Sequence, residues 1–495
     1  MNYTIFPGKP KCFCGVFGIY GSPTASLETY YGLHALQHRG QEACGIVTRD
    51  LNGNGKSFFQ IHKGEGLVTE VFAKSKVFKN LLTGSSAIGH NRYSTTGSSQ
   101  SRKNIQPFLV NYRLGNLAVG HNGNLTNARE LREELVNEGA IFQTTSDTEV
   151  ILHLIARSRL DDQVEQIKEA IQRIEGAYSL VLLTDDKLIA ARDPHGFRPL
   201  AIGKLNGAYL IASESCAFDI ISAEFIREVE PGEIVVIDDD VIRTGSVKSF
   251  RIYDNTLPKN HCIFEFIYFS RPDSFIFGHN VDKMRRRLGK ILARNHPVYS
   301  KNDEKIIVIS VPDSSNTTAL GYQTELEKLG VNCKLEIGLI RSHYIGRTFI
   351  QPGQSNREIG VRIKFNTVKG VLEGRTVVIV DDSIVRGTTS KQLVKLIREA
   401  NPESIHLRIS SSPITHPCYY GMDFPSKEEL IAHKHNADID SIKNYLDVDS
   451  LEYLTNDEML EAVSEAGKDN FCDACFSGNY PTEIDLNFKK EIYEN

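Results

Sequence analysis

No apolar run in this 495-residue sequence reaches the ~18 residues that a membrane-spanning helix needs, which excludes a transmembrane protein of the helical kind. No charge sign dominates either. Lys and Arg number 57 against 62 Asp and Glu, a formal net charge of -5, so nothing electrostatic calls for nucleic acid or an anionic membrane as a partner. The opening residues, MNYTIFPGKPK, hold no continuous hydrophobic segment. The expectation is therefore a chain without a secretory signal, located in the cytoplasm. Disulfides are rare there, so the nine cysteines point to free thiols, a metal site or a nucleophile. Repeats, low-complexity segments and long linkers are absent too. What remains is an ordinary globular composition, 40% hydrophobic and 24% charged, long enough for roughly two to four domains.

The chain divides into two textures. From about residue 14 to 250 it reads as β-rich with hairpins: GAYSLVLLTDDKLIAARD and PLAIGKLNGAYLIASES are apolar runs broken by turn-forming pairs such as Asn206-Gly207. Helices are expected around SLETYYGLHALQHRG and SDTEVILHLIARSRL, the second opening with Ser146 and Glu149 at capping-box spacing. After about residue 283, strands such as KIIVISV, KLEIGLI and RTVVIV alternate with helical stretches such as SKQLVKLIREA. That alternation predicts βαβ units and a parallel sheet.

The stretch 377-VVIVDDSIVRGTTS-390 is the most informative of the second half. Val377 to Val380 are apolar on both faces, as in a buried parallel strand. Asp381 and Asp382 follow at its carboxyl end, where open α/β sheets bind ligands. Ser383, Arg386, Gly387, Thr388 and Thr389 then lead into a helix. Small residues there let backbone N–H groups converge on an anion, and the helix dipole favours it. Phosphate is expected at the loop, with the carboxylates suited to hydroxyls or Mg²⁺.

This stretch resembles the signature by which type I phosphoribosyltransferases bind 5-phosphoribosyl 1-pyrophosphate (PRPP). The resemblance implies that Asp381 and Asp382 meet the ribose hydroxyls and metal, while Gly387, Thr388 and Thr389 hold the 5-phosphate. The loop 311-VPDSSNTT-318 looks like the family's pyrophosphate-binding turn, which makes Ser314 a further Mg²⁺-associated position. Between the two loops, 341-RSHYIGRTFIQPGQSNREIGVRIKFN-366 resembles the catalytic loop that closes over PRPP. Arg347, Arg357, Arg362 and Lys364 are its candidate phosphate clamps. His343 stands where the family usually has a basic residue.

In the first half, 14-CGVFGIYG-21, 38-HRGQEACGI-46, 89-GHNRYSTTG-97, 120-GHNGNLTN-127 and 146-SDTE-149 occur in the order and spacing of the glutaminase domain of N-terminal-nucleophile amidotransferases, which they closely resemble. Glutamine hydrolysis needs a nucleophile, a base, oxyanion donors and clamps for the substrate's charged ends. By the resemblance Cys14 supplies the thiol and, once it is the first residue, its α-amine is the base, with a pKa near ~7.7. Asn122 and Gly123 match the oxyanion hole. Arg92 would pair with the glutamine carboxylate and Asp147 with its ammonium. Cys44 reads as a buried small apolar residue.

Such a glutaminase followed by a PRPP-binding domain resembles the glutamine phosphoribosylpyrophosphate amidotransferase family from Cys14 to about Pro481. The motifs 193-DPHGFRPL-200, 213-SESCAFD-219, 264-FEFIYFSRPDS-274 and 278-GHNVDKMRRRLG-289 agree. The implied fold is an αββα glutaminase domain followed by an α/β phosphoribosyltransferase domain. The expected division is a propeptide over 1–13, the glutaminase over 14–250, the phosphoribosyltransferase over 251–450 and a C-terminal extension over 451–495. The implied reaction, the first committed step of purine synthesis, takes glutamine, PRPP and water to 5-phosphoribosylamine, glutamate and pyrophosphate. Ammonia would pass between the domains inside the protein, with one Mg²⁺ per subunit on the pyrophosphate. Purine nucleotides as feedback inhibitors and a homotetramer or homodimer are further expectations of the resemblance.

One branch of the family carries a [4Fe–4S] cluster on four cysteines together with a cleaved propeptide. Cys472 and Cys475 form the CxxC of 471-FCDACFSGNYPT-482, and Cys262 and Cys418 complete that branch's set. Zn²⁺ on the same four thiolates is the alternative, since sequence does not distinguish S₄ sites. The leader KCFC of residues 11–14 then places Cys12 in a discarded segment and requires the Phe13–Cys14 bond to break. Two rival readings disagree with these motifs. A PRPP-binding regulator that has lost catalysis disagrees with the complete set of glutaminase motifs. Other amidotransferases, such as glucosamine-phosphate or asparagine synthases, share the first half but not 377-VVIVDDSIVRGTT-389.

Overall fold

The computed structural model describes residues 14–93, 102–254, 257–300, 304–342, 364–422, 424 and 426–484. The expectations for Cys12, the leader 1–13, His343, Arg347, Arg357 and Arg362 lie outside the described residues.

The first strand, Gly15–Tyr20, shows how the amino-terminal half is layered. Side chains alternate across a strand. Val16 and Tyr20 point into the space between two sheets, while Phe17 and Ile19 point outward against a helix. Gly18 lies on the inner side, and a Cβ there would come within 2.8 Å of Val181 Cγ1, so the sheets approach closely at this point. One sheet has seven strands with Gly15–Tyr20 fourth in order; the other has six, with Gly115–Leu125 beside its edge. Neighbouring strands within each are antiparallel. Helix Ala25–Ala35 covers the outer face of the first sheet. Its Gly32 admits the Phe17 ring, which a Cβ would meet at 2.4 Å. Burying Phe17 and Ile19 there contributes about 1.5–3 kcal/mol each.

The Asn206-Gly207 pair makes the predicted tight turn, with φ of 49° and 91°, between strands Ala201–Leu205 and Ala208–Ala212. Two helices were not read from the sequence, Ala128–Asn137 and Gln163–Ile171. With Thr148–Arg157 they cover the outer face of the six-stranded sheet and share one core with it. The result is the expected αββα stack. The capping box at Ser146 does not form. Glu149 instead accepts from the backbone N–H groups of Gln143 and Thr144 at 2.8 and 2.7 Å, which folds the preceding loop onto the helix start.

The second half holds a five-stranded parallel sheet in the order Cys333–Leu335, Ile306–Ser310, Thr376–Asp381, Ser404–Ile409, Ser450–Tyr453. Its central strand buries Val378 and Val380 on one face and Val377 and Ile379 on the other. Helices Val281–Asn295 and Asn316–Lys328 cover the first face; Thr388–Arg398 and Ile439–Leu446 cover the second. This is the parallel-sheet domain the alternation predicts. Strand Lys248–Arg251 completes the six-stranded sheet and so runs across the 250/251 division, while Ser450–Tyr453 runs across 450/451. Among the described residues no helix is long and apolar enough to cross a membrane.

Candidate active site

Cys14 sits at the head of the first strand, 5% exposed. It lines a cleft with Arg92, Tyr93, Gln106, His121, Gly123, Ser146 and Asp147. Its Sγ donates to the carbonyl of Tyr93 at 3.5 Å. Burial pushes the thiol up to about 11, with Tyr93 and the Arg92 guanidinium only partly opposing it. At neutral pH the resting side chain is therefore a thiol, present as thiolate in roughly one molecule in 10⁴.

Asn122 and Gly123 lie in strand Gly115–Leu125. Asn122 is fully buried, and among the described residues neither Nδ2 nor Oδ1 of its carboxamide has a hydrogen-bond partner. An idle buried donor of this kind is costly in the resting fold and calls for an explanation in function. Gly123 cannot be another residue: its φ is 155°, and a Cβ would stand 1.9 Å from the carbonyl oxygen of Ala177. The next residue, Asn124, donates to the carbonyl of Tyr419 at 2.9 Å, so this strand leans directly on the second half of the chain. Arg92 ends strand Ser86–Arg92 and is 4% exposed.

Asp147 precedes helix Thr148–Arg157. Its Oδ2 accepts from Leu125 N at 3.0 Å, and His121 Nδ1 lies 3.7 Å from its Oδ1. Burial, the largest influence, raises its pKa; His121 and the backbone N–H groups of Leu125 and Thr148 outweigh it and hold the carboxyl below its ordinary value. The cleft thus carries a fixed anion at Asp147 and a cation at Arg92. That is the charge pattern for an α-amino acid. His121 and Gln106, which the sequence left without a role, secure it: Gln106 Oε1 accepts from His121 N at 2.8 Å.

In the second half, Asp381 ends the central strand and Asp382 and Ser383 follow it, all three buried. Ser314 Oγ donates to Asp382 Oδ1 at 2.6 Å, and Ser383 Oγ to Asp382 Oδ2 at 2.6 Å. Ser315, not singled out from the sequence, donates to Asp381 Oδ1 at 3.2 Å. The loops 311–315 and 381–389, distant in sequence, therefore meet at one place. Gly387 has φ 74° and a Cβ on it would meet Ile431 Cδ1 at 2.3 Å, so only glycine lets the loop turn into helix Thr388–Arg398. Arg386, in the same loop, pairs its guanidinium with Glu429 at 2.7 Å. Lys364 is half-buried; burial, with Arg341 nearby, lowers its pKa to about 8.

Cys262, Cys418, Cys472 and Cys475 come together around one cavity, also lined by Phe197, Phe264, Tyr420, Met422 and Tyr480. Cys262 and Cys472 are register partners in a short parallel ladder. Desolvation raises the pKa of all four thiols; charge on neighbouring cysteines adds to it at Cys262, Cys472 and Cys475, while Arg198 opposes it at Cys262 and Cys418. Among the described residues, no three His, Cys, Asp or Glu side chains stand close enough for a single metal ion. Four thiolates on one Zn²⁺, each about 2.3 Å from it, require sulfurs about 3.8 Å apart. The donor set is all sulfur in an apolar aromatic pocket, the chemistry by which thiolates ligate iron–sulfur clusters and zinc alike.

A buried ionic seam joins the halves; its residues lie in motifs quoted for the resemblance, but nothing in the sequence paired them. Arg39 Nε donates to the Cys14 carbonyl at 3.2 Å. Its Nη1 pairs with Glu214 at 2.5 Å and its Nη2 with Glu265 at 2.7 Å. Arg198 donates to the carbonyl of Tyr420 at 2.6 Å and lies 3.4 Å from Glu265. Burial opposes the Arg39 charge, and the two glutamates more than compensate, raising its pKa.

Residues 90–219 match the glutamine amidotransferase domain family. The chain is 47% identical to the amidophosphoribosyltransferase of Bacillus subtilis over 95% of its own length and 94% of that protein's. To the chloroplastic amidophosphoribosyltransferase 2 of Arabidopsis thaliana it is 49% identical over 96% of its length and 80% of that protein's. Among solved structures, it matches one described as the allosteric regulatory enzyme of purine biosynthesis with TM-score 0.86 and 46% identity, covering 96% of this chain and 97% of the other. It also matches the B. subtilis glutamine PRPP amidotransferase complexed with ADP and GMP, with TM-score 0.85 and 46% identity over 96% and 98% of the two chains. Identity at this level over nearly the whole length, on a glutaminase-type stack joined to a parallel-sheet domain, means that the chain belongs to the amidophosphoribosyltransferase family.

Proposed function

We propose that the family's reaction, transfer of ammonia from glutamine to PRPP to give 5-phosphoribosylamine, glutamate and pyrophosphate, is carried in this chain by Cys14 and the two-loop acidic site around Asp382. The observation that supports the first assignment most strongly is the idle carboxamide of Asn122 beside Gly123 and the Cys14 cleft. Thiol attack on the glutamine amide puts negative charge on its oxygen; Gly123 N–H and Asn122 Nδ2, which has no partner among the described residues, are the donors to meet it. Arg92 takes the substrate's α-carboxylate and Asp147 its α-ammonium. A thiol with a pKa near 11 needs a base. The α-amine freed by cleavage of Phe13–Cys14 is a suitable one, since it titrates near ~7.7.

At the second site Asp381 and Asp382 hold the ribose hydroxyls, and Gly387, Thr388 and Thr389 turn backbone N–H groups toward the 5-phosphate. Ser383 steadies Asp382, and Lys364 with Arg386 are the cations near the loops; Arg386 must first leave Glu429. Ser314, Asp381 and Asp382 would hold Mg²⁺, which spreads the charge of the departing pyrophosphate. The four cysteines would hold a [4Fe–4S] cluster with a structural role, tying segments 262, 418 and 472–475 together. Purine nucleotides are the proposed inhibitors; the B. subtilis relative with ADP and GMP bound supports this. The eight cysteines among the described residues are free thiols, consistent with the proposed cytoplasmic setting.

The test is stoichiometry. With glutamine and PRPP·Mg²⁺ the purified protein should release glutamate and pyrophosphate one for one. Ammonium should replace glutamine, giving pyrophosphate alone. Pyrophosphate release with neither nitrogen source raising it would refute the reading.

A further inference from the structure

We propose that Glu265 is a positioning residue that ties the glutamine half-site to the PRPP half-site, by gripping Arg39 through both carboxylate oxygens and Ser270 through Oε2, which the two share. The inference rests on the functional reading above. Toward the first site, Arg39 Nη2 reaches Glu265 Oε1 at 2.7 Å while its Nε holds the carbonyl of Cys14 at 3.2 Å. Toward the second, Ser270 Oγ donates to Glu265 Oε2 at 2.6 Å. The carbonyl of Ser270 accepts from Arg285 Nη2 at 2.8 Å. Arg285 Nη1 in turn donates to the carbonyl of Ser314 at 3.5 Å, and Ser314 Oγ donates to Asp382 at 2.6 Å. Every step is a hydrogen bond, and Arg39, Glu265, Ser270, Arg285 and Asp382 are each at most 1% exposed.

This route differs from packed apolar surface in one physical respect. A buried charge that loses its partner is severely penalised, so the groups move together or not at all. Arg285 is held at three carbonyls, of Phe266, Ser270 and Ser314, and Ser270 closes a turn by donating its N–H to the Glu265 carbonyl. A ligand that draws Ser314 and Asp382 to itself therefore pulls on Arg285, then on Ser270 and Glu265, and so on the grip that Arg39 has on the nucleophile's own carbonyl. Glu214 holds Arg39 from the other side at 2.5 Å, which gives the guanidinium two anchors and a defined path between them.

The experiment measures glutamine hydrolysis by the full-length protein with and without PRPP·Mg²⁺, alongside ammonia-dependent synthesis, in wild type, E265Q, S270A and S270T. In wild type PRPP should lower the glutamine KM or raise kcat. In E265Q and S270A that response should shrink by about tenfold, with ammonia-dependent kcat and the PRPP KM within about twofold. S270T, which keeps the hydroxyl, should restore it. An unchanged response in S270A, or a parallel loss of both half-reactions with a lowered Tm in that variant, overturns the inference. Should E265Q fail to fold, S270A decides alone. Wild type without any glutamine hydrolysis would instead defeat the functional reading. Hydrolysis indifferent to PRPP in wild type defeats only this inference.

Discussion

Replacing Asn122 by Ala separates catalytic from structural roles unusually well. Among the described residues neither Nδ2 nor Oδ1 of the buried carboxamide has a partner, so the substitution breaks no hydrogen bond to any of them. Relief of an unpaired buried polar group is worth about 1–3 kcal/mol, and the cavity left by the missing atoms costs about 2 kcal/mol. The two nearly cancel, and Tm should move by less than ~3 °C. Loss of one oxyanion donor, by contrast, costs about 2.7–4 kcal/mol of transition-state stabilisation, a fall of 10²–10³ in glutamine-dependent kcat. Because that contact exists only in the transition state, kcat and kcat/KM should fall equally. Ammonia-dependent synthesis should be untouched. The assay follows glutamate release and pyrophosphate release in parallel, with a thermal melt on the same samples. A glutamine-dependent kcat within threefold of wild type would refute the reasoning, as would a large drop in Tm with loss of both activities.

Three other outcomes follow from the same geometry. Burial raises the Cys14 thiol from 9.0 to about 11, so the folded state gains stability that is full below pH 9 and is lost as pH rises through 11. Alkylation of Cys14 in the uncleaved chain, read by peptide mass, should accordingly stay slow up to pH 9; rapid labelling at pH 7 without cleavage would contradict it. Replacing Asp381 and Asp382 together by Asn removes both charges that Ser314 and Ser315 steady, and synthesis should fall at least about 10²-fold with either nitrogen source; loss confined to glutamine would be the wrong result. Anaerobically purified protein should be brown, with about four irons per chain, and C475S should lose them together with thermal stability. A colourless protein containing one zinc would overturn the cluster.

Much of the chemistry was readable because it is written in short stretches. Strand, acidic pair and glycine-containing loop lie within 377-VVIVDDSIVRGTT-389, and local backbone rules give them their places. The Asn206-Gly207 turn was legible for the same reason. Arg39, Glu214 and Glu265 were not, since their partners lie 175 and 226 residues away in sequence and no periodicity marks a buried ion pair. Their motifs, 38-HRGQEACGI-46 and 264-FEFIYFSRPDS-274, were visible only as resemblance. Ser146 and Glu149 had capping-box spacing, yet Glu149 found stronger partners in the backbone of Gln143 and Thr144. Arg386, expected from the sequence at the phosphate loop, pairs with Glu429, a partner 43 residues away that no local pattern marks.

Cys14→Ala tests most directly whether the glutamine and PRPP sites are separable. With PRPP·Mg²⁺ saturating, pyrophosphate release is measured first with glutamine and then with ammonium. The variant should lose the glutamine-dependent rate by at least ~10³-fold and keep the ammonium-dependent rate within twofold. Equal loss of both rates, or retention of glutamine-dependent synthesis, would contradict it.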